Sequence, residues 1–314
     1  MAQCRPRLDS RVLADPVITV RGLRKSYGDF EAVRGIDLEV SAGEVFAFLG
    51  PNGAGKTTTT EILEGYRPRD GGEVSVLGED PAAAGRAWRE RIGVVLQSSR
   101  PDPYLTVRES LQLFAGYYVR SRPVGEVIEL IGLVGKEDER ASRLSGGQQR
   151  RLDVGLALVG DPELLFLDEP TTGFDPSARR HAWEVIAGMR DLGKTIFLTT
   201  HYMDEAQRLA DRVAIIARGR IVAEDAPDAL GDREHQPAEI TFRAPGTELP
   251  EISGARLAAD GNGLVSLRTG EPVRALNELT RWALERGVDL EGLEVRRPTL
   301  EDIYLQLAGE GDGS

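Results

Sequence analysis

A glycine-rich segment that follows an apolar run is the first part of this chain that could do chemistry. The run Glu44–Leu49 is typical of a buried strand, and a helix is predicted to begin at Lys56. Glycines let the backbone bend so that successive N–H groups point at phosphate oxygens, and the helix N-terminus adds positive potential. The Lys56 ammonium could reach the β and γ phosphates, and the Thr57 hydroxyl could ligate Mg²⁺. The residues expected to surround the phosphates are Gly50, Pro51, Asn52, Gly53, Ala54, Gly55, Lys56, Thr57 and Thr58.

Two neighbouring acids end a second apolar run. Leu164–Leu167 is typical of a buried strand, which would deliver Asp168 to the carboxyl edge of a sheet, where α/β folds bind ligands. Asp168 suits a Mg²⁺ ligand, and Glu169 could polarise an attacking water. The alternative is a helix-capping pair ahead of Pro170. The phosphate-binding loop upstream makes that alternative the minor one.

A second glycine-rich motif lies shortly before this acidic strand. Ser145-Gly146-Gly147 precedes a helix predicted over about Gln148–Val159. A hydroxyl, two glycines and a helix N-terminus can bind an anion, but Ser145 could equally be a plain N-cap. The residues alone leave both interpretations open, because capping and anion binding use the same groups. Arg150 and Arg151 follow, and we expect them to be surface charges of the helix rather than ligands.

Composition excludes several classes of function. The 314 residues carry 51 acidic and 39 basic side chains, a net charge of −12, which disfavours nonspecific nucleic-acid binding. The single cysteine, Cys4, excludes a disulfide framework and a cysteine-based metal site. No apolar run reaches the roughly 18–20 residues that span a bilayer, and no secretory signal is visible at the start. If the protein works at a membrane, we expect another chain to supply the span.

The elements that must position these groups follow from apolar periodicity. Between Pro103 and Ser142 the pattern becomes helical, with a capping box formed by Thr106 and Glu109. Short apolar runs separated by helical stretches elsewhere favour a parallel sheet covered on both faces. A helix is predicted over 56–64, and strands from Val17 and over 31–40, 44–49, 73–77, 92–96, 164–168, 195–199, 212–217 and 220–224.

The chain is predicted to contain two domains behind a flexible tail of residues 1–16. The first covers residues 17–227, with the helical insertion at about 103–142. The second covers residues 228–314, is acidic, and has the apolar periodicity of a small α+β domain. Its last helix is predicted over Leu300–Leu307.

The run Leu144–Gln148, Leu-Ser-Gly-Gly-Gln, is similar without substitution to the signature motif of ABC transporter ATPases. The resemblance implies an α/β fold, namely a P-loop NTPase ABC-type nucleotide-binding domain with a helical insertion, plus the α+β accessory domain. It implies ATP and Mg²⁺ as cofactors. It also implies a homodimer, in which the signature of one subunit closes over ATP held by its partner. Ser145 and Gly147 would then contact the γ-phosphate in trans, with Gly146 and Gln148 beside them.

Other landmarks of that family follow in order along the chain. Tyr27 resembles the aromatic residue that stacks on adenine, although as a lone tyrosine it could be a packed surface residue. Gln97 resembles the Q-loop glutamine, which meets Mg²⁺ and the attacking water. Asp175 resembles the D-loop aspartate at the dimer interface, where Phe174 replaces the usual leucine. His201 resembles the switch histidine that contacts the γ-phosphate.

Two further segments, His201–Ala206 and Arg297–Leu305, resemble the daunorubicin-resistance-type branch of multidrug exporters. That resemblance implies export of a drug, antibiotic or lipid-like cargo through a separate membrane permease, with this chain attached at the cytoplasmic face of the cell membrane. The insertion at 103–142 is expected to dock the permease. The competing hypothesis is a soluble ATP-switched regulatory dimer that uses its acidic domain. A small-molecule kinase is disfavoured by the signature.

Overall fold

The computed structural model describes residues 16–97, 101–230, 236–243, 249–250, 252–259 and 264–297, together with Asp302 and Tyr304. The chain divides between Ala226 and Pro227 into a first and a second unit. The tail predicted over residues 1–16 lies outside the described residues, except for Pro16, with which the first strand begins.

The elements of the first unit alternate between strands and helices. Its strands are β1 (Pro16–Tyr27), β2 (Phe30–Ser41), β3 (Val45–Leu49), β4 (Gly71–Val76), β5 (Ile92–Val95), β6 (Leu164–Asp168), β7 (Thr195–Thr200), β8 (Arg212–Ala217) and β9 (Arg220–Asp225). Its α-helices are α1 (Lys56–Leu63), α2 (Arg86–Arg89), α3 (Val107–Ala115), α4 (Val124–Leu130), α5 (Gly146–Leu158), α6 (Pro176–Asp191) and α7 (Met203–Leu209), with a 3-10 helix at Ala141–Arg143.

A six-stranded sheet with the order β5-β6-β7-β3-β8-β9 forms the centre of this unit. The strands β5, β6, β7, β3 and β8 are parallel, and β9 pairs antiparallel with β8. Every residue of β3 and β7 is buried, as continuous apolar runs in a parallel sheet require. The predicted α/β class is confirmed. The carboxyl ends of β3, β6 and β7 therefore meet at one edge of the sheet.

Four phenylalanines fix the middle of this sheet. The Phe197 ring of β7 lies 5.7 Å, between centroids, from each of Phe46, Phe48 and Phe166. Phe166 and Phe197 are also directly paired in the register of β6 and β7. Aromatic packing therefore holds the three strands whose ends carry the candidate groups.

A separate antiparallel sheet, with the order β2-β1-β4, was not predicted, although its strands were. Its residues alternate between buried and exposed, as in a sheet with one covered face. Trp88 of α2 is buried against it and donates its indole N–H to the Val76 carbonyl at 2.8 Å. The sheet places Tyr27 at the end of β1, opposite Phe30.

The insertion predicted over residues 103–142 contains α3, α4 and the 3-10 helix. The predicted capping box is confirmed, because Glu109 N–H donates to Thr106 Oγ1 at 3.1 Å and Thr106 N–H donates to the Glu109 carboxylate at 2.8 Å. Buried side chains such as Leu111 of α3 and Leu152 of α5 belong to one apolar cluster. The helix that begins next to Ser145 is therefore part of the same core as the insertion.

The second unit is an antiparallel sheet packed against one helix. It contains β10 (Ala238–Arg243), β11 (Ala255–Ala259), β12 (Leu264–Thr269), α8 (Pro272–Arg286) and β13 (Glu291–Arg296), with the sheet order β11-β12-β10-β13. Phe242 and Leu267 of the sheet share a buried cluster with Leu279 of α8. The strands β11 and β13 were not predicted.

The helix predicted over Leu300–Leu307 lies outside the described residues, apart from Asp302 and Tyr304, which are helical. Of the helices in the described part of the chain, none combines the length and the apolar character needed to cross a membrane.

Candidate functional site

The loop between β3 and α1 requires glycine at two positions. A Cβ on Gly50 would lie 2.4 Å from the Ile216 carbonyl oxygen, and one on Gly55 would lie 2.5 Å from the Ala32 carbonyl oxygen. Gly55 also has a φ of 108°, which side chains rarely tolerate. The backbone of the predicted phosphate loop is therefore fixed by close approaches on two sides.

Lys56 is buried at the start of α1, and its ammonium donates to the Gly50 carbonyl at 2.6 Å and the Pro51 carbonyl at 3.2 Å. Burial lowers the Lys56 pKa from its ordinary value, while the nearby Glu169 and Asp168 carboxylates raise it. The cation therefore lies between the loop and the two acids.

The other loop residues fall into an exposed and a buried group. The exposed ones include Thr57, the predicted Mg²⁺ ligand, which is the second residue of α1. Thr58 is half-buried, Pro51, Asn52 and Gly53 are exposed, and Ala54 and Gly55 are buried. Asn52, Gly53 and Thr57 are thus accessible to a ligand.

Thr199 at the end of β7 fixes both acids. Asp168 lies opposite Thr199 in the parallel register of β6 and β7. The Thr199 hydroxyl donates to the Asp168 carboxylate, and the Glu169 N–H lies 3.1 Å from both the hydroxyl and the carbonyl oxygen of Thr199. The sequence analysis missed this role. The signal was a pair of hydroxyls, Thr199 and Thr200, at a strand end just before His201.

Three side chains lie within contact distance of the Glu169 carboxylate. Gln97 donates its amide N–H to Glu169 Oε2 at 3.0 Å, the Thr172 hydroxyl donates to the same oxygen at 3.1 Å, and His201 Nδ1 lies 3.3 Å from Oε1. Glu169 also has a φ of 44°, a strained conformation for a non-glycine residue that is common at functional sites. The structure therefore brings together the three residues predicted to be catalytic.

This arrangement can hold and activate a water molecule. A carboxylate with two hydrogen-bond donors on one oxygen keeps the other oxygen directed next to His201, where a water could be polarised. Thr57, Asp168 and Gln97 supply hydroxyl, carboxylate and amide oxygens, which Mg²⁺ prefers. Within the described ranges, no three His, Cys, Asp or Glu side chains converge on a metal position.

A buried carboxyl supports the segment that follows Glu169. Glu205 of α7 accepts from the Thr171 hydroxyl at 2.8 Å and from the Trp183 indole N–H at 3.0 Å. Burial raises the Glu205 pKa, and its hydrogen bonds partly oppose that rise. This side chain links the segment to α6 and α7, and the sequence analysis missed it.

Ser145 is the N-cap of α5. Gln148 N–H donates to Ser145 Oγ at 3.3 Å, and Ser145 N–H donates to the Gln148 side-chain oxygen at 2.9 Å. A Cβ on Gly146 would meet nothing within 4 Å, whereas one on Gly147 would lie 3.2 Å from Ala178 of α6. The capping interpretation is confirmed, and the signature segment borders the start of α6.

Asp175 is the N-cap of that neighbouring helix. Its exposed carboxylate accepts from Ser177 N–H at 2.8 Å and from Ala178 N–H at 2.9 Å. These backbone hydrogen bonds lower the Asp175 pKa. The structure thus brings the first turn of α6, which Asp175 caps, next to Gly147, and Phe174 before it is half-buried.

Tyr27 has cationic partners. Its ring is partly exposed, with the Arg67 guanidinium 5.3 Å and the Lys25 ammonium 5.8 Å from the ring centroid. These distances suit cation–π contacts. Stacking of Tyr27 on adenine stays a prediction.

The expectation that Arg150 is a surface charge is wrong. Its side chain is only 10% exposed, and it donates to the carbonyls of Leu96, Asp168 (2.9 Å) and Pro170 (3.2 Å). The available signal was its place near the N-terminus of α5, where the helix dipole disfavours a cation. Arg151 is partly buried and donates to the Ile131 and Gly132 carbonyls.

Comparison with known proteins finds two matching family models and several similar proteins. The family model described as "ABC transporter" matches residues 33–172, and a model of the C-terminal domain of an ABC transporter domain-containing protein matches residues 238–299. A Nod factor export ATP-binding protein I from Rhizobium sp. (strain N33) is 41% identical over 93% of this chain and 97% of its own. The daunorubicin resistance ATP-binding protein DrrA3 from Streptomyces coeruleorubidus is 37% identical over 95% and 98%.

Solved structures agree on the first unit. A structure described as the ATP binding subunit of an ABC transporter matches with a TM-score of 0.61 and 26% identity, over 68% of this chain and 90% of that one. The predicted fold and the similarity to the daunorubicin-resistance branch are confirmed.

Replacing Lys56 by alanine should weaken ATP binding by about 10- to 100-fold, because a charge-assisted contact with the phosphates is lost. Equilibrium binding of a fluorescent ATP analogue measures the change. Lys136→Ala is the control, because that lysine pairs with Glu139 within the helical insertion. Equal affinity of the Lys56→Ala variant and the wild type would contradict the assignment of the loop.

Replacing Thr199 by valine should lower kcat by about 10-fold or more while ATP affinity is nearly retained, since both acids lose a hydrogen-bond partner. Thr195→Val is the matched control at the other end of β7, where the hydroxyl accepts from Gly43 N–H at 2.9 Å. Each change should cost about 1 kcal/mol of stability. Similar kcat losses in the two variants would show that Thr199 acts only through stability.

Proposed function

The chain belongs to the ATP-binding proteins of ABC transporters, an ATPase family, and from that premise we propose that it powers export through a separate membrane permease. We further propose that it works as a homodimer with ATP and Mg²⁺ between the subunits, bound peripherally at the cytoplasmic face of the cell membrane. The observation that carries the ATPase chemistry is the Glu169 carboxylate, held by Gln97 and Thr172 beside His201.

In the proposed reaction the loop binds the phosphates, and the two acids serve the metal ion and the attacking water. Lys56 and the loop N–H groups bind the phosphates, and Tyr27 stacks on the adenine. Thr57, Asp168 and Gln97 hold Mg²⁺, which would supply charge neutralisation at the phosphates. Glu169 orients and polarises the attacking water, and His201 contacts the γ-phosphate.

The placement of the signature segment supports the dimer. Glu169 and Asp168 act electrostatically on Lys56 within one chain, whereas the cap hydrogen bonds of Ser145 are with Gln148. Ser145 and Asp175 begin two neighbouring helices, and both residues are exposed. A second anion-binding helix start, outside the first site, suits a nucleotide held by another copy of the chain.

The export role rests on relatives and on one exposed surface. The relatives reported above are named for Nod factor export and for daunorubicin resistance. In the helical insertion, large apolar side chains are exposed at Tyr104, Leu113, Phe114 and Tyr117. Exposed apolar groups clustered in one small subdomain are typical of a protein contact. We propose that this insertion docks the permease, with Gln97 just ahead of it responding to nucleotide.

Replacing Glu169 by glutamine should preserve ATP affinity but reduce kcat by about 100-fold or more, because the amide cannot accept a proton. ATP should then trap a stable dimer, detectable by size-exclusion chromatography with light scattering. Glu184→Gln, on the exposed side of α6, is the control. Wild-type turnover by the Glu169→Gln variant would contradict the assignment.

A photo-crosslinking amino acid at position 117 should capture an integral membrane protein when the chain is isolated from its native membranes. The same reagent at position 273, in the second unit, is the control, because Val273 is also highly exposed. Capture of a membrane protein only from position 273 would refute docking through the insertion. Recovery of soluble partners alone would favour the regulatory dimer.

A further inference from the structure

Arg150 is a buried cation at the meeting point of three chain segments. It extends from the second turn of α5 and donates to backbone carbonyls of Leu96, Asp168 and Pro170. These partners come from two stretches of the chain, the residue after β5 and residues 168–170 at the end of β6, so that with α5 three segments meet. All three nitrogens of the guanidinium therefore have a carbonyl partner.

The chemistry of arginine suits a rigid connection. The guanidinium is planar and always charged, and it has five N–H donors in a fixed geometry. Backbone carbonyls are also fixed, so the three segments cannot move apart without leaving a buried charge unpaired. The Asp153 carboxylate, one turn further along α5, lies 4.0 Å from Arg150 Nη1 and compensates the charge.

The three carbonyls lie next to the reacting groups. Leu96 directly precedes Gln97, while Asp168 and Pro170 directly flank Glu169. The helix α5, from whose second turn Arg150 extends, begins at the Ser145 cap. A single side chain therefore joins the catalytic segments of a chain to the helix that carries its signature.

We propose that Arg150 is a positioning residue that couples the two nucleotide sites of the dimer. The inference rests on the proposed dimer, in which the Glu169 of a chain serves the nucleotide in its own loop and its Ser145 serves the other nucleotide. Through Arg150, closure of the signature on one nucleotide sets the positions of Gln97 and Glu169 at the other. The two sites then hydrolyse ATP in a concerted manner.

Arg151 provides a matched control. It is the next residue of the same helix, is partly buried, and donates to the carbonyls of Ile131 and Gly132. Those acceptors belong to the end of the helical insertion and not to the catalytic segments. Arg151→Gln should therefore change the packing of α5 while leaving the kinetics within about twofold of wild type.

The first test compares Arg150→Gln, Arg150→Lys and Arg151→Gln in the full-length chain. Arg150→Gln should lower kcat by about 10-fold or more, retain ATP affinity within about twofold, and replace sigmoidal by hyperbolic dependence on ATP. Arg150→Lys should retain only part of the activity, since the ammonium keeps the charge but can bond fewer of the carbonyls. If the glutamine variant does not fold, the lysine variant should show the same loss of sigmoidicity. Unchanged sigmoidicity in a folded Arg150 variant overturns the proposal.

The second test uses mixed dimers with a single working site. In every dimer the second chain carries Glu169→Gln, which disables its water activation. Only the loop of the first chain, closed by the signature of the second, can then turn over. The first chain carries no further change, Ser145→Arg, Arg150→Gln, or both changes. Ser145 of the first chain lies outside the working site, so coupling predicts that either change lowers activity by at least about fivefold and that both together lower it no further.

Losses that multiply in the double variant, or no loss from Ser145→Arg, would show a local role of Arg150 and overturn the coupling. The proposed function is checked separately with the Glu169→Gln chain alone. Failure of that chain to dimerise with ATP would refute the dimer itself. If the Glu169→Gln chain dimerises normally but the Arg150 variants keep wild-type kinetics, only the coupling through Arg150 is refuted.

Discussion

Asp168 lies opposite Thr199 in the parallel pairing of β6 and β7, and the rest of the site depends on that register. Successive side chains of a strand point to opposite faces, so a slip by one residue would turn Asp168 away from the sheet edge and separate Glu169 from its support. Two residues earlier on each strand, Phe166 pairs with Phe197 inside the aromatic cluster. Core packing in the middle of the sheet therefore decides where the two acids lie.

The sequence predicted the features that depend on the order of neighbouring residues, namely the strands and the motif positions. The apolar runs located the central strands within one or two residues, and motif spacing placed Lys56 at a helix start and Glu169 and His201 just after two strands. It did not predict the β2-β1-β4 sheet, because the pairing of β4 with β1 joins segments far apart in the chain and the short turn between β1 and β2 was not recognised as a hairpin. The burial of Arg150 was missed for a similar reason, since its acceptors are carbonyls from segments far away in the chain. The partners of Tyr27 likewise come from tertiary structure.

The signature segment shows that structural and binding roles can share the same atoms. The Ser145 hydroxyl accepts from the Gln148 N–H, which completes the cap of α5. A hydroxyl also has a proton to donate, so Ser145 can keep its cap and still bond a phosphate oxygen. The two interpretations that the sequence left open are therefore compatible. Capping fixes the helix start before any anion arrives, so little reorganisation would be needed on binding in the proposed dimer.

Lys56 adds a selection rule for the bound nucleotide. Its ammonium already bonds to the Gly50 and Pro51 carbonyls, so an incoming ligand must replace those contacts inside a largely buried setting. The β and γ phosphates of a triphosphate lie within reach and carry enough charge to compensate. A nucleoside monophosphate would leave the lysine with its own loop and gain little from it. With Lys56 in its proposed role, the loop would discriminate among nucleotides by the number of their phosphates, independently of how the base is recognised.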